Sequence, residues 1–129
     1  MNQARANTRM CGTTMYNAAA PLAWDTKLFN AAAAHSTDMA SKNYFSHTSQ
    51  DGRNPGQRIT AAGYAWSTYG ENIAYGQGSM AGVMDTWIKS AGHCANIMKA
   101  NITEIGLACV KNPASSNRPY WTMVLARPK

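Results

Sequence analysis

Charge is scarce in this 129-residue chain. Charged side chains make up 14% of it, and the six acidic residues include only two glutamates, Glu71 and Glu104; an average globular domain carries about a quarter charged residues. No apolar run approaches the ~18–20 residues of a membrane-spanning helix. Hydrophobic residues nevertheless amount to 45%, so a disordered tail is excluded along with an integral membrane helix. Also missing are a Gly-x-Ser-x-Gly elbow, a phosphate-cradling glycine loop, a His-Glu-x-x-His helix and a Cys-x-x-Cys pair. Those absences remove the standard serine-hydrolase, nucleotide-binding, zinc-peptidase and thioredoxin-type chemistries. There are no repeats, low-complexity tracts or linkers, and a single domain over 1–129 is expected at this length.

Twelve Lys and Arg give a net charge of +6. They are scattered from Arg5 to Lys129 without a cluster, which favours a solvated basic surface over a dedicated nucleic-acid role. Met1-Asn2-Gln3-Ala4-Arg5 has no apolar h-region, so a cytosolic protein or a mature or trimmed chain is expected. Cys11, Cys94 and Cys109 allow one disulfide with a thiol left over, in any of three pairings. A bridge from Cys11 closes the longer loop, which the chain-entropy model rewards more; three reduced thiols remain the alternative in a reducing compartment.

The elements that patterning does supply are short. Asn2 to about Met10 reads as the remainder of a helix, ended by Cys11-Gly12. Asp25 is an N-cap, and Leu28, Ala32, His35 and Met39 recur at helical spacing, predicting a helix over about 25–42. Asn43 to Thr48 is extended, and Gln50-Asp51-Gly52 signals a turn. Asn54-Pro55 starts a short helix that Gly63 closes. Tyr64 to Gln77 reads as loop around a short extended piece, Glu71 to Ala74. Ser79 caps a further helix with Met80, Val83, Met84, Trp87 and Ile88 on its core face. Ala91-Gly92 breaks it, and His93 to Lys99 adds one or two turns. Strands at Ile105–Val110 and Tyr120–Ala126 form a hairpin through a turn at Asn112-Pro113 and Ser115 to Asn117. Helices before a small antiparallel sheet imply a layered α+β domain.

With three histidines and two glutamates, any His/Glu site has few candidates. His35 lies on an apolar helix stripe and reads as a core residue hydrogen-bonded to backbone. His47 and His93 follow helix ends, where side chains converge on clefts, and Glu71 sits in non-helical Gly70-Glu71-Asn72. Cys94 beside His93 does not make a thiol nucleophile, since sequence neighbours point apart.

The string Leu28 to Met39, Asn43-Tyr44-Phe45-Ser46-His47-Thr48, Asp51-Gly52, Arg58, Gly63-Tyr64, Gly70-Glu71-Asn72-Ile73-Ala74, Trp87-x-x-Ser90-x-Gly92-His93, Asn96-Ile97-Met98, Glu104-Ile105-Gly106 and Tyr120-Trp121-Thr122 resembles a bacterial member of the CAP superfamily. This group comprises the cysteine-rich secretory, antigen 5 and pathogenesis-related 1 proteins and is also called the SCP domain. The resemblance spans residues 21 to 126 in order. It implies a three-layer α-β-α sandwich with a small, mainly antiparallel sheet, whose N-terminal helix is cut short here. It also implies a secreted or periplasmic protein, and so one disulfide, with Cys94 as one partner and Cys11 or Cys109 as the other.

By motif, the cleft tetrad and candidate catalytic group is His47, Glu71, Ser90 and His93. Many eukaryotic relatives place a Glu at the position of Ser90, so a two-carboxylate mechanism lacks one group here, and Glu104 belongs to another motif. His47 and His93 are the candidate ligands of a weakly bound divalent cation, Zn²⁺ foremost, with Glu71 orienting or deprotonating a water. Three roles follow from this resemblance: an extracellular binding module for cell-wall material or lipid, a metal-dependent hydrolase of peptide or cell-wall substrates, and a scaffold with a vestigial cleft. A monomer is expected.

Overall fold

The computed structural model describes residues 1–112 and 118–129. Its organising element is a four-stranded sheet ordered β3-β5-β6-β4, made of β3 (Ala23–Trp24), β4 (Trp66–Tyr75), β5 (Glu104–Lys111) and β6 (Pro119–Pro128). The β4–β6 and β5–β6 pairs are antiparallel, whereas the two-residue β3 runs parallel to β5. Strand β6 is central and buried from Pro119 to Ala126, so both of its faces need a covering layer. Tyr120, Val124 and Ala126 pack towards α2 (Thr26–Lys42) and α3 (Pro55–Ala61), while Trp121, Met123 and Leu125 pack with α4 (Met80–Lys89) and α5 (Ala91–Met98). The two-residue period of a strand thus divides one sequence between two cores, which is the α-β-α sandwich.

The helix signals act as their chemistry requires. Asp25 accepts the Leu28 N–H at 3.0 Å, and α2 ends at Asn43 in the left-handed region, φ 54°. Asn54 and Gln57 form a reciprocal capping box with Pro55 at the first turn of α3. Ser79 caps α4. On α4, Val83 and Trp87 are buried and Met84 and Ile88 partly so, but Met80 is exposed, because the first turn lies at the rim of the core.

Four readings of the sequence need correction. Asn2 to Met10 is not one helix: α1 covers Asn2–Arg5 only, followed by a hairpin of β1 (Arg9–Cys11) and β2 (Thr14–Tyr16). The buried guanidinium of Arg5 fixes this departure by donating to the carbonyls of Ala20 (2.8 Å), Ile97 (2.8 Å), Lys99 (2.9 Å) and Ile102 (3.2 Å). Tyr64 to Gln77 is not loop around four extended residues, because pairing with β6 draws ten residues into β4. Ala91-Gly92 does not break the helix; the break is Ser90, extended at φ −98°, ψ 122°, with Gly92 inside α5. Strand β3, too short to leave a pattern, is the fourth difference. The turn expected over 112–117 falls largely outside the described residues.

Cys11 and Cys94 form the disulfide, and Cys109 is free and exposed. The bridge ties the β1–β2 hairpin to α5 across 83 positions. On the opposite face, α2 lies directly on β5 at Gly106, where a Cβ would stand 2.1 Å from the Phe29 nitrogen.

Reducing the disulfide, or replacing Cys11 and Cys94 together by Ala, is expected to cost about 2–5 kcal/mol; urea unfolding with and without reductant measures it, with Cys109→Ser as a variant near wild type. Gly106→Ala is expected to destabilise by about 3 kcal/mol or more, since α2 backbone must move to admit the methyl, and the urea midpoint reports it.

Candidate functional site

Strand β4 is an edge strand, and its free side is where the candidate residues meet. Exposed edges invite pairing with other chains unless something covers them. Here the helices do: Trp87 of α4 donates its ring N–H to the Ile73 carbonyl at 3.0 Å, and Asn96 of α5 donates to the Glu71 carbonyl at 3.4 Å. Asn96 also donates to the Asn72 side-chain oxygen at 2.9 Å, and Asn72 donates to the His93 carbonyl at 3.1 Å. Gly70 permits this, because a Cβ there would lie 3.2 Å from the Asn96 side-chain oxygen. In Gly70-Glu71-Asn72, therefore, the glycine admits Asn96, the asparagine faces α5, and the glutamate points into the opposite layer beside α3.

That glutamate is buried, with 2% of its side chain exposed. Arg58 on α3, itself buried, donates through Nη1 to Glu71 Oε2 at 3.2 Å and through Nη2 to Oε1 at 3.4 Å. Arg58 Nη2 also donates to the His47 carbonyl. His47 Nδ1 lies 2.9 Å from Glu71 Oε1. A carboxylate only accepts, so Nδ1 carries a proton, and in the neutral ring the lone pair is on Nε2. The ring is half exposed.

His93 approaches from α5, on the other side of the strand edge. Its Nδ1 is 2.8 Å from the Ser90 hydroxyl. Ser90 occupies the N-cap position of α5 but spends its hydroxyl on the side chain at the third helical position instead of its N–H. Burial holds the His93 pKa below the usual histidine value, and a positive charge on nearby His47 would lower it further. Both rings open on one groove of about 640 Å³, also lined by Phe45, Ser46, Tyr75 and Trp87.

All four expected cleft residues thus come together: His47 and His93 on the groove, Glu71 beneath His47 and Ser90 beside His93. Glu104 does not join them and accepts a hydrogen bond from Tyr64. His35 is core, with Nε2 donating to the Ser46 carbonyl at 2.7 Å. Sequence reasoning missed Arg58, Asn72 and Asn96 as site residues. A signal existed for the first, since a glutamate confined to a strand interior needs a cation. Among the described residues, no three His, Cys, Asp or Glu side chains converge as a metal-binding set. Any cation here would rest on two imidazoles anchored through Nδ1, the arrangement in which a partner orients a metal-binding ring.

Comparison with known proteins identifies the family and the fold. The family model described as CAP, the cysteine-rich secretory protein family, matches residues 1–125. An uncharacterised protein, YkwD of Bacillus subtilis, is 40% identical over 92 residues, which is 71% of this chain and 36% of that protein. An uncharacterised membrane protein, YlbC of the same organism, is 32% identical over 80% of this chain and 28% of its own length. The chain therefore spans about a third of these relatives. Among solved structures, an extracellular protein containing an SCP domain from Bacillus anthracis superposes with a TM-score of 0.77 at 28% identity, over 84% of this chain and 34% of that one. An outer surface protein of Borrelia burgdorferi shares the fold with a TM-score of 0.78 at 21% identity, over 86% and 80% of the two chains.

Arg58→Met leaves Glu71 buried without its cation and is expected to cost about 3–5 kcal/mol. Adding Glu71→Gln removes the stranded charge, so the double variant should be more stable than Arg58→Met alone; urea unfolding of the three variants gives the coupling.

Proposed function

We propose that this chain, which belongs to the CAP family of cysteine-rich secretory proteins, is an extracellular binding module whose groove takes a divalent cation, Zn²⁺ foremost, between His47 and His93. The observation that carries the reading is the pair of rings opening on one groove, each anchored through Nδ1, so that Nε2 of each remains for a ligand. Residence outside the cytoplasm is supported by the Cys11–Cys94 disulfide and by the solved relative described as an extracellular protein. Cell-wall material or lipid is the proposed class of partner.

Zn²⁺, when bound, supplies Lewis acidity and a more acidic bound water. The residues of the chain do the positioning. Glu71 holds the His47 Nδ1 proton and so directs Nε2 to the groove. Arg58 holds Glu71 in place. The Ser90 hydroxyl accepts from His93 Nδ1 when His93 presents Nε2. Both oxygens of Glu71 are engaged by protein donors, which supports an orienting role for it over proton abstraction from a water. Two protein ligands are fewer than the three usual in catalytic zinc sites, in keeping with weak, exchangeable binding.

Calorimetric titration of Zn²⁺ at pH 7.5 tests the reading. Micromolar binding is expected in the wild type, lost in His47→Ala and in His93→Ala, and weakened about 10–100-fold in Glu71→Gln. Absence of binding in the wild type would leave a structural polar cluster. Metal-dependent turnover of peptide or cell-wall substrates, abolished by Glu71→Gln, would replace the binding module by a hydrolase.

A further inference from the structure

A second cavity, of about 530 Å³, lies where α1, β1 and α4 meet, away from the groove. Three of the eight methionines, Met1, Met80 and Met84, line it. Their positions are fixed by separate elements. Met80 and Met84 stand one turn apart on α4, and residues four apart on a helix share a face with Cβ atoms about 5–6 Å from each other. Met1 is the N-cap of α1, the short helix that the Arg5 guanidinium ties to the carbonyls of Ile97 and Lys99. Met1 and Met84 pack partly against the core, while Met80 is 39% exposed. Two of the three side chains are therefore anchored, and the third borders solvent.

Packing alone does not call for methionine here. The core face of α4 is filled by Val83 and Trp87, both fully buried. A thioether sulfur carries lone pairs and no proton, and it is polarisable. Such ligands favour soft cations of the Cu⁺ kind, whereas zinc is held by thiolate, imidazole and carboxylate and the hard divalent ions by oxygen. Arg9 and Asp85 also line the cavity, one charge of each sign, and Lys89 pairs with Asp85 at 2.9 Å. No excess negative charge marks the place for a divalent ion. Methionine is unbranched with three rotatable side-chain bonds, so the sulfurs can turn toward one ion while the helices stay in place. We propose that Met1, Met80 and Met84 bind a soft monovalent cation of the Cu⁺ class through their thioether sulfurs. The site is separate from the histidine groove and does not depend on how the groove is used.

The test is NMR on the full chain labelled with ¹³C at the methionine methyls, titrated with Ag⁺, the redox-inert member of the class, in chloride-free buffer. Cys109→Ser serves as the background, because the exposed thiol binds soft cations by itself. Saturable shifts of the Met1, Met80 and Met84 methyls at a common, roughly micromolar affinity are expected, with the methyl of Met39, fully buried in another cluster, as the unmoved reference. Zn²⁺ should leave the three methyls in place. Met80→Leu and Met84→Leu conserve volume and should each weaken Ag⁺ binding about tenfold or more at an unchanged melting temperature. Should Met84→Leu disturb folding, the exposed Met80→Leu still decides. The proposal is overturned if the three methyls show no saturable shift, or if Met1 stays unmoved while the other two respond. Equal shifts with Zn²⁺, or Ag⁺ binding that survives Met80→Leu at full affinity, overturn it as well.

Discussion

The guanidinium of Arg58 holds the functional side of this domain together. It is a buried cation paired with a buried carboxylate, and neither group tolerates burial without the other. The same planar group fixes the backbone of the His47 loop through that residue's carbonyl and positions Glu71, which in turn sets the His47 tautomer. The loop after α2, the short helix α3 and the edge strand β4 are therefore bound to one another by a single side chain. Lysine offers one point charge in place of a planar five-donor fork that grips both carboxylate oxygens.

On the other side of β4 the fastening is neutral. Trp87 and Asn96 donate to successive outward carbonyls of the strand, and Asn72 reaches back to the His93 carbonyl. The helices α4 and α5 thus occupy positions that a further strand would fill, and the edge becomes the floor of a groove. The Cys11–Cys94 bridge secures α5, and with it His93, to the N-terminal hairpin. The buried Arg5 gathers the carbonyls at the end of the same helix. His47 and His93 consequently belong to opposite layers, each independently braced, and line one groove because both layers close on one strand edge.

Much of this is legible in the residues. Asp25, Asn54 and Ser79 each cap a helix whose start they announce, because capping is a local hydrogen bond between near neighbours. The hairpin strands β5 and β6 follow from their β-branched and aromatic content. Motif resemblance points to His47, Glu71, Ser90 and His93, and the structure brings them to one place. Strand β4 escapes a local reading because Gly70 and the polar run around it have poor strand character when taken alone. Its ten residues are extended because β6 lies beside them and Asn96 needs the space a side chain at Gly70 would take.

Neighbours along the chain set what is local: the capped starts of α2, α3 and α4, the two-faced alternation of β6, and a chemistry limited to three histidines, two glutamates and three cysteines. Tertiary structure alone decided what depends on distance through space. It chose Cys11 over Cys109 as the partner of Cys94, cut α1 to four residues so that Arg5 could reach its carbonyls, and paired Glu71 with Arg58, 13 positions away. It also buried His35 Nδ1 and Arg58 Nε without hydrogen-bond partners. Hydrogen bonds and close contacts between distant residues are satisfied only once the layers have packed, and no local pattern carries them.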